Sequence, residues 1–325
     1  MSGFDVVVAP GGPTFRALPG ERILAAARRN GIWLPFECGW GSCATCKVTL
    51  LHGEVELLFP EAPAAQQGGR RRTIICQAAA LSDLVIRPLR WAAEPDELRP
   101  TVDRVGLVAR TEQVGPDIWR VWLDLEDDLR YRPGQHAILD LGGVRRCYSM
   151  ASPPEPGRVC FIAKRYPGGP GSTRLASLRV GETVAIEGPF GDVWLRAGDR
   201  DLVLLAGGTG ISVVLALAAE LAVQHDTRHI LALYGAASLA DLACAEELEA
   251  LLRPLPHAGI ELACERPETG WSGRSGFVTD SLALVERPLE ADYYLAGPPP
   301  MVDATLAALD RMGVQRDRVH YDRFG

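Results

Sequence analysis

Cys38, Cys43 and Cys46 stand four and two residues apart, and the next cysteine along the chain is Cys76. A C-x4-C-x2-C…C arrangement is the plant-type ligand set for a [2Fe–2S] cluster. It differs from the bacterial C-x2-C-x2-C-x3-C run and from paired zinc knuckles, which need two C-x2-C units where this chain has one. Packing alone is a fair account of one cysteine but not of four at this spacing. Gly39 and Gly41 interleave the loop, so the backbone can fold tightly and turn its amides toward the sulfurs. The chemistry this implies is one-electron transfer.

A second group of residues suits nucleotide phosphates. Gly207-Gly208-Thr209-Gly210-Ile211-Ser212 follows an apolar run and opens another. It is not the G-x-G-x-x-G fingerprint, yet a turn leading from strand to helix is where a dinucleotide pyrophosphate can be received. Gly168-Gly169-Pro170-Gly171-Ser172-Thr173 is glycine-rich but by itself fits any Gly-Pro turn, and Arg146-Cys147-Tyr148-Ser149 by itself fits any strand end. No histidine has metal-ligand spacing, and no nucleophile elbow or P-loop is present.

The elements expected to hold these residues change character twice along the chain. Strands are predicted over 4–8, 14–18 and 48–51, with a helix over 23–30 that stops at Gly31. Residues 91–100 turn polar and proline-bearing, the composition of a linker. Short alternating strands follow at 105–108, 118–125, 137–141, 159–163 and 183–187, which suggests a small antiparallel barrel. From 201 onward, apolar strands at 202–206, 230–234, 260–264 and 293–296 alternate with helical stretches at 211–223, 241–252, 276–286 and 300–312. That pattern predicts a mainly parallel, doubly wound sheet. The uncharged run 202–219 is long enough to imitate a membrane span, but its glycines favour strand–turn–helix.

Composition is that of a soluble globular protein: 325 residues, 47% hydrophobic and 23% charged, enough for two or three domains. A formal charge of −7 argues against nucleic acid as a general partner. Residues 1–90 depart from it, with ten basic against seven acidic side chains, a net +3 that leaves −10 for the remainder. Arg70-Arg71-Arg72 reads either as a solvated run or as part of a docking face for an acidic partner. Cys147, Cys160, Cys244 and Cys264 show no disulfide framework and read as buried free thiols in a reducing compartment. No signal sequence opens the chain, so a cytoplasmic location is expected.

With these motifs in order, the chain resembles the ferredoxin–NADP reductase superfamily. More narrowly, it resembles the oxygenase reductases with an N-terminal plant-type ferredoxin domain, such as those of toluene, phenol and alkene monooxygenases. The resemblance implies a β-grasp ferredoxin domain over 1–92, a linker over 93–100, an FAD-binding antiparallel β-barrel over 101–198 and an NAD-binding α/β domain over 199–325. In that family the arginine of R-x-Y-S meets the flavin phosphate, the tyrosine lies against the isoalloxazine and the serine approaches its N5. Those roles fall on Arg146, Tyr148 and Ser149. Arg132-Pro133-Gly134-Gln135 is similar to the P-G-Q turn before the flavin strand, with His136 either near the flavin or an ordinary barrel histidine. Gly169, Gly171, Ser172 and Thr173 fall in the diphosphate loop; FAD is implied, with FMN as the lesser option. Gly207, Gly208, Thr209 and Gly210, with Ala296, Gly297 and Pro298, form the nicotinamide-nucleotide motif, where Ala296 replaces the family's usual cysteine. Phe324, in an aromatic ending, is the candidate to cover the flavin; a frayed tail is the alternative. Residues 234–241 carry no base and one acid, Asp241, which predicts NADH over NADPH.

The implied activity is an NADH:acceptor reductase passing electrons from NADH through FAD to [2Fe–2S], and then to a monooxygenase component or an intermediary ferredoxin. Reduction of a Rieske dioxygenase system or of a deoxysugar dehydratase is the alternative.

Overall fold

The computed structural model describes residues 3–36, 38–67, 69, 71–89 and 101–323. The linker expected over 93–100 and the aromatic Phe324 lie outside the described residues. The chain forms two compact units, 1–101 and 102–325.

In the first unit, β1 (Phe4–Val8), β2 (Thr14–Ala17), β3 (Lys47–His52), β5 (Arg72–Ile74) and β7 (Leu84–Pro88) make one mixed sheet in the order β2-β1-β7-β3-β5. β4 (Val55–Leu57) and β6 (Ala78–Ala80) pair separately, and the four-residue helix α2 (Pro63–Gln66) lies between β4 and β5. First and last strands run parallel, β1 beside β7, while the other pairs are antiparallel. The alternation that predicted β1 is visible in its burial, with Val6 and Val8 fully buried and Asp5 exposed. Helix α1 (Ile23–Arg29) presents Ile23, Leu24, Ala26 and Ala27 to the sheet. It carries Arg28 and Arg29 in its last turn, where cations suit the helix dipole, and Gly31 follows at φ +70°.

The second unit begins with an antiparallel sheet built from β8 (Val102–Gly115), β9 (Ile118–Leu125), β10 (His136–Asp140), β11 (Arg145–Ser149), β12 (Arg158–Lys164) and β13 (Thr183–Phe190). Its strand order is β11-β10-β13-β8-β9-β12, and a bridge between Met150 and Phe161 brings the two edges together. Short helix α3 (Pro170–Ala176) follows β12.

A parallel sheet comes next, from β14 (Asp201–Gly207), β15 (Ile230–Ala236), β16 (Ala258–Cys264), β17 (Arg274–Ser275), β18 (Ala291–Gly297) and β19 (Val319–Arg323), in the order β17-β16-β15-β14-β18-β19. Successive residues of β14 enter two different cores. Leu202, Leu204 and Ala206 pack with helices α4 (Ile211–Gln224) and α5 (Ala245–Leu252), whereas Val203 and Leu205 pack with α6 (Pro299–Arg311). The run 202–219 is thus strand, turn and buried helix. Among the described residues no helix is long and apolar enough to cross a membrane.

Two expected helices differ in detail. The stretch anticipated over 241–252 becomes helical only from Ala245, because Cys244 takes a left-handed backbone at φ +59°. The one anticipated over 276–286 is a 3-10 helix, Val278–Leu284.

Candidate iron–sulfur, flavin and nucleotide sites

The four motif cysteines lie close enough to perturb one another. Hydrogen bonding with Cys43, against the opposing effect of burial, draws Cys38 down to about 4. Hydrogen bonding with Cys46, reinforced by burial and by Cys38 and Cys43, pushes Cys76 well above the ordinary thiol value. Four thiols in mutual reach are the ligand number a [2Fe–2S] cluster needs. Among the described residues no three ligating side chains are arranged around a single metal ion. Backbone amides of Trp40 and Gly41 donate to Cys38 Sγ at 3.4 and 3.3 Å, and Thr45 N–H donates to Cys43 Sγ at 3.4 Å. Donors aimed at sulfur are what a cluster of growing negative charge requires. Among the described residues no cysteine forms a disulfide; Cys160 and Cys264 are buried as expected, but Cys147 and Cys244 are only half-buried.

In the second unit β11 brings Arg146 and Tyr148 beside the glycine-rich loop. A Cβ at Gly171 would sit 2.7 Å from Arg146 Cγ and 3.6 Å from the Tyr148 hydroxyl, so only a bare backbone approaches this strand. Here a phosphate could meet both a guanidinium and a loop amide. Ser172 is spent locally, its Oγ accepting from Tyr166 N–H at 3.1 Å and donating to the Gly169 carbonyl at 3.2 Å. Burial pushes Tyr148 up to about 12, so its ring stays neutral. Ser149 Oγ donates to Asp322 Oδ2 at 3.2 Å, and His136 Nδ1 lies 3.7 Å from the same oxygen. His136 is buried and stacked on Phe190. The preceding turn is tied down by Gln135, which accepts from Arg132 N–H at 2.9 Å and donates to the Gly191 carbonyl at 3.0 Å.

The nucleotide motif lies where the strand order of the parallel sheet reverses, at the carboxyl ends of neighbouring β14 and β18. In open α/β sheets that is where a crevice forms. A Cβ at Gly210 would fall 1.9 Å from the Ala296 carbonyl oxygen, and one at Gly207 would fall 2.3 Å from Met301 Sδ. A cavity of about 420 Å³ opens there, lined by Gly207, Gly208, Thr209, Pro298, Met301 and Asp241 among others. Ala296 is fully buried; its place is in the strand, paired with Ala206 and Asp322, and not in the cavity lining.

Sequence reasoning overlooked Lys164 and Tyr166, which line the same cavity from the end of β12. Lys164 Nζ bonds Asp241 Oδ1 at 2.7 Å, and Ser238 Oγ bonds Asp241 Oδ2 at 2.7 Å. It also missed Asp322, 173 positions from Ser149, and the pair Arg120–Glu247 joining β9 to α5 at 2.5 and 3.0 Å. Arg120 Nε donates as well to Cys160 Sγ at 3.2 Å. A strand-end lysine before a glycine loop was the available signal for Lys164; nothing local marks the others.

Three family models match in succession: the 2Fe-2S iron-sulfur cluster binding domain over residues 6–81, the oxidoreductase FAD-binding domain over 106–194 and the oxidoreductase NAD-binding domain over 204–306. These define the class, an oxidoreductase whose redox groups are [2Fe–2S], FAD and NAD. The chain is 33% identical over 335 residues to the reductase component of phenol 2-monooxygenase from Pseudomonas sp. (strain CF600), covering 99% of this chain and 94% of that protein. It is 34% identical over 327 residues to the ferredoxin–NAD(+) reductase component of the alkene monooxygenase system from Xanthobacter autotrophicus (strain ATCC BAA-1158 / Py2), covering 96% and 98%. The solved ferredoxin reductase in carbazole 1,9a-dioxygenase superposes with a TM-score of 0.89 at 31% identity, over 99% of this chain and 98% of that one. The chain belongs to the family of reductase components of multicomponent oxygenases.

Proposed function

We propose that this chain carries electrons from NADH to the oxygenase of a multicomponent monooxygenase, directly or through an intermediary ferredoxin. NADH yields a hydride, FAD takes electrons in pairs and releases them singly, and a plant-type cluster near about −400 mV accepts one at a time. The observation that carries this reading is the set of backbone amides of Trp40, Gly41 and Thr45 directed at the Cys38 and Cys43 sulfurs of the C-x4-C-x2-C motif, in a chain that also holds a cavity at the glycine turn.

Each set of residues has a defined task. Cys38, Cys43, Cys46 and Cys76 would hold the cluster, with the Trp40, Gly41 and Thr45 amides directed at the sulfurs. Arg146 would bind flavin phosphate, Tyr148 would offer a flat neutral face, and Gly169, Gly171, Ser172 and Thr173 would let loop amides approach the diphosphate. The Ser149 hydroxyl, oriented by Asp322, holds a proton at Oγ. Gly207, Gly208, Thr209 and Gly210 would receive the NAD pyrophosphate against Gly297 and Pro298, and buried Ala296 spaces the two turns. Phe324 is assigned to covering the flavin.

This reading divides the chain into a β-grasp ferredoxin domain (1–92), a linker (93–100), a flavin β-barrel (101–198) and a doubly wound NAD domain (199–325). The bridge between Met150 and Phe161 supports closure of the barrel, and the two cores on either side of β14 support double winding. Cysteines outside any disulfide support a reducing, cytoplasmic setting. The carbazole dioxygenase reductase likeness favours a dioxygenase partner as the second reading. The net +3 of residues 1–90 supports an acidic docking face on the partner.

Cys76→Ser tests the assignment. The variant should keep NADH-driven ferricyanide reduction, which draws electrons from flavin, while oxygenase-coupled turnover and the cluster EPR signal fall to background. Retention of a wild-type cluster signal would refute the ligand set.

A further inference from the structure

We propose that Gln77 is a positioning residue for the iron–sulfur site: its side-chain amide aims the Gly41 N–H at the Cys38 sulfur and so raises the reduction potential of the cluster. The inference rests on the reading of Cys38, Cys43, Cys46 and Cys76 as ligands.

Gln77 is 4% exposed, a long amide between the core residues Cys76 and Ala78. Burying such a group is costly unless it is hydrogen-bonded. Its main chain is already committed, the N–H donating to the Ile74 carbonyl at 3.1 Å and the carbonyl accepting from Leu58 N–H at 2.8 Å. The side chain instead reaches 37 positions back along the sequence, where Nε2 donates to the Trp40 carbonyl at 2.8 Å in a fully buried bond.

That carbonyl belongs to the same peptide unit as the Gly41 N–H. A trans peptide is planar, with C=O and N–H pointing in opposite directions, so fixing one end fixes the other. The Gly41 N–H donates to Cys38 Sγ at 3.3 Å. The following peptide is held as well, its carbonyl accepting from Ala64 N–H at 2.9 Å. A donor on the Trp40 oxygen also polarises the unit and strengthens its N–H. Reduction adds negative charge to a cluster, and N–H dipoles on its sulfurs stabilise that charge, so such bonds raise the potential. Without the Gln77 amide, the Trp40 carbonyl would lose its buried donor and the peptide could turn away from sulfur.

The test uses the full chain, reconstituted anaerobically, in two variants. Gln77→Met keeps the length without a donor, and Gln77→Asn keeps the amide one methylene short. Iron and sulfide per chain are measured first, then the reduction potential by a mediated titration followed by EPR. Both variants should retain iron and sulfide, show altered g values, and titrate about 59 mV below wild type, equivalent to tenfold in a one-electron equilibrium constant. An unchanged potential in either loaded variant overturns the proposal. So does loss of the cluster from both, which would make Gln77 a packing residue of the loop. A wild-type chain that takes up no iron or sulfide would instead overturn the underlying ligand assignment, and this proposal with it.

Discussion

Adding one methyl group at Gly210 should disable the nucleotide site while leaving the iron–sulfur unit untouched. The Cβ of Gly210→Ala would lie 1.9 Å from the Ala296 carbonyl oxygen, where ordinary contact begins at 3.4 Å, so the two must part by about 1.5 Å. Ala296 cannot retreat, because β18 is hydrogen-bonded to β14 on one side and β19 on the other. The start of α4 must move instead, carrying the Gly207–Gly210 turn away from Pro298 and Met301. Overpacking of this kind costs about 1–3 kcal/mol, or roughly 2–4 °C in Tm per kcal/mol for a unit of this size. A displacement near 1 Å at a site of transfer costs about a hundredfold in rate. The assay is steady-state NADH:ferricyanide reduction with thermal melting, alongside EPR of the dithionite-reduced cluster as the control. A kcat/KM for NADH within about threefold of wild type, at unchanged Tm, would refute the reasoning.

Two further outcomes follow from side chains near the proposed sites. Asp241→Ser should lower the NADH-over-NADPH ratio of kcat/KM by about tenfold, because it removes a carboxylate from the cavity and frees Lys164 for a 2′-phosphate; an unchanged ratio would contradict the assignment. Burial alone would raise the Asp241 carboxyl, but the hydrogen bonds from Lys164 and Ser238 outweigh it and hold the group below its ordinary value. It therefore stays ionised as pH falls, and its own contribution to discrimination should be flat between about pH 5 and 8, so that the change with pH in that range is the one set by the 2′-phosphate, whose second ionisation lies at about 6. Neutralising Arg70, which lies outside the described residues, together with the exposed Arg71 and Arg72 to glutamine should weaken acceptor reduction and flatten its salt dependence; no change in either would rule out a basic docking face.

What could be read without coordinates was local. The cysteine spacing, the helix ending before Gly31 and the strand–glycine turn–helix at 202–219 each declare themselves within a few residues, because turn geometry and thiolate convergence constrain neighbours in sequence. Ala78–Ala80 did not, since alanine has no strand preference of its own; its pairing with Val55–Leu57 decides the matter. The C-terminal segment, open to reading as a frayed tail, is strand β19 through Arg323, registered against Tyr293–Gly297. The pairings of Lys164, Asp322 and Gln77 were invisible for one shared reason. Each acts through a partner 37 to 173 positions away, and no sequence period encodes such a contact.

Electrons entering as NADH are expected to leave by way of iron held on the same polypeptide. Anaerobic titration of the reconstituted chain with NADH, followed by flavin absorbance and low-temperature EPR, measures it directly. The flavin should bleach together with the appearance of the signal of a reduced plant-type [2Fe–2S] cluster. Flavin bleaching with no cluster signal, in protein that contains iron and sulfide, would contradict it.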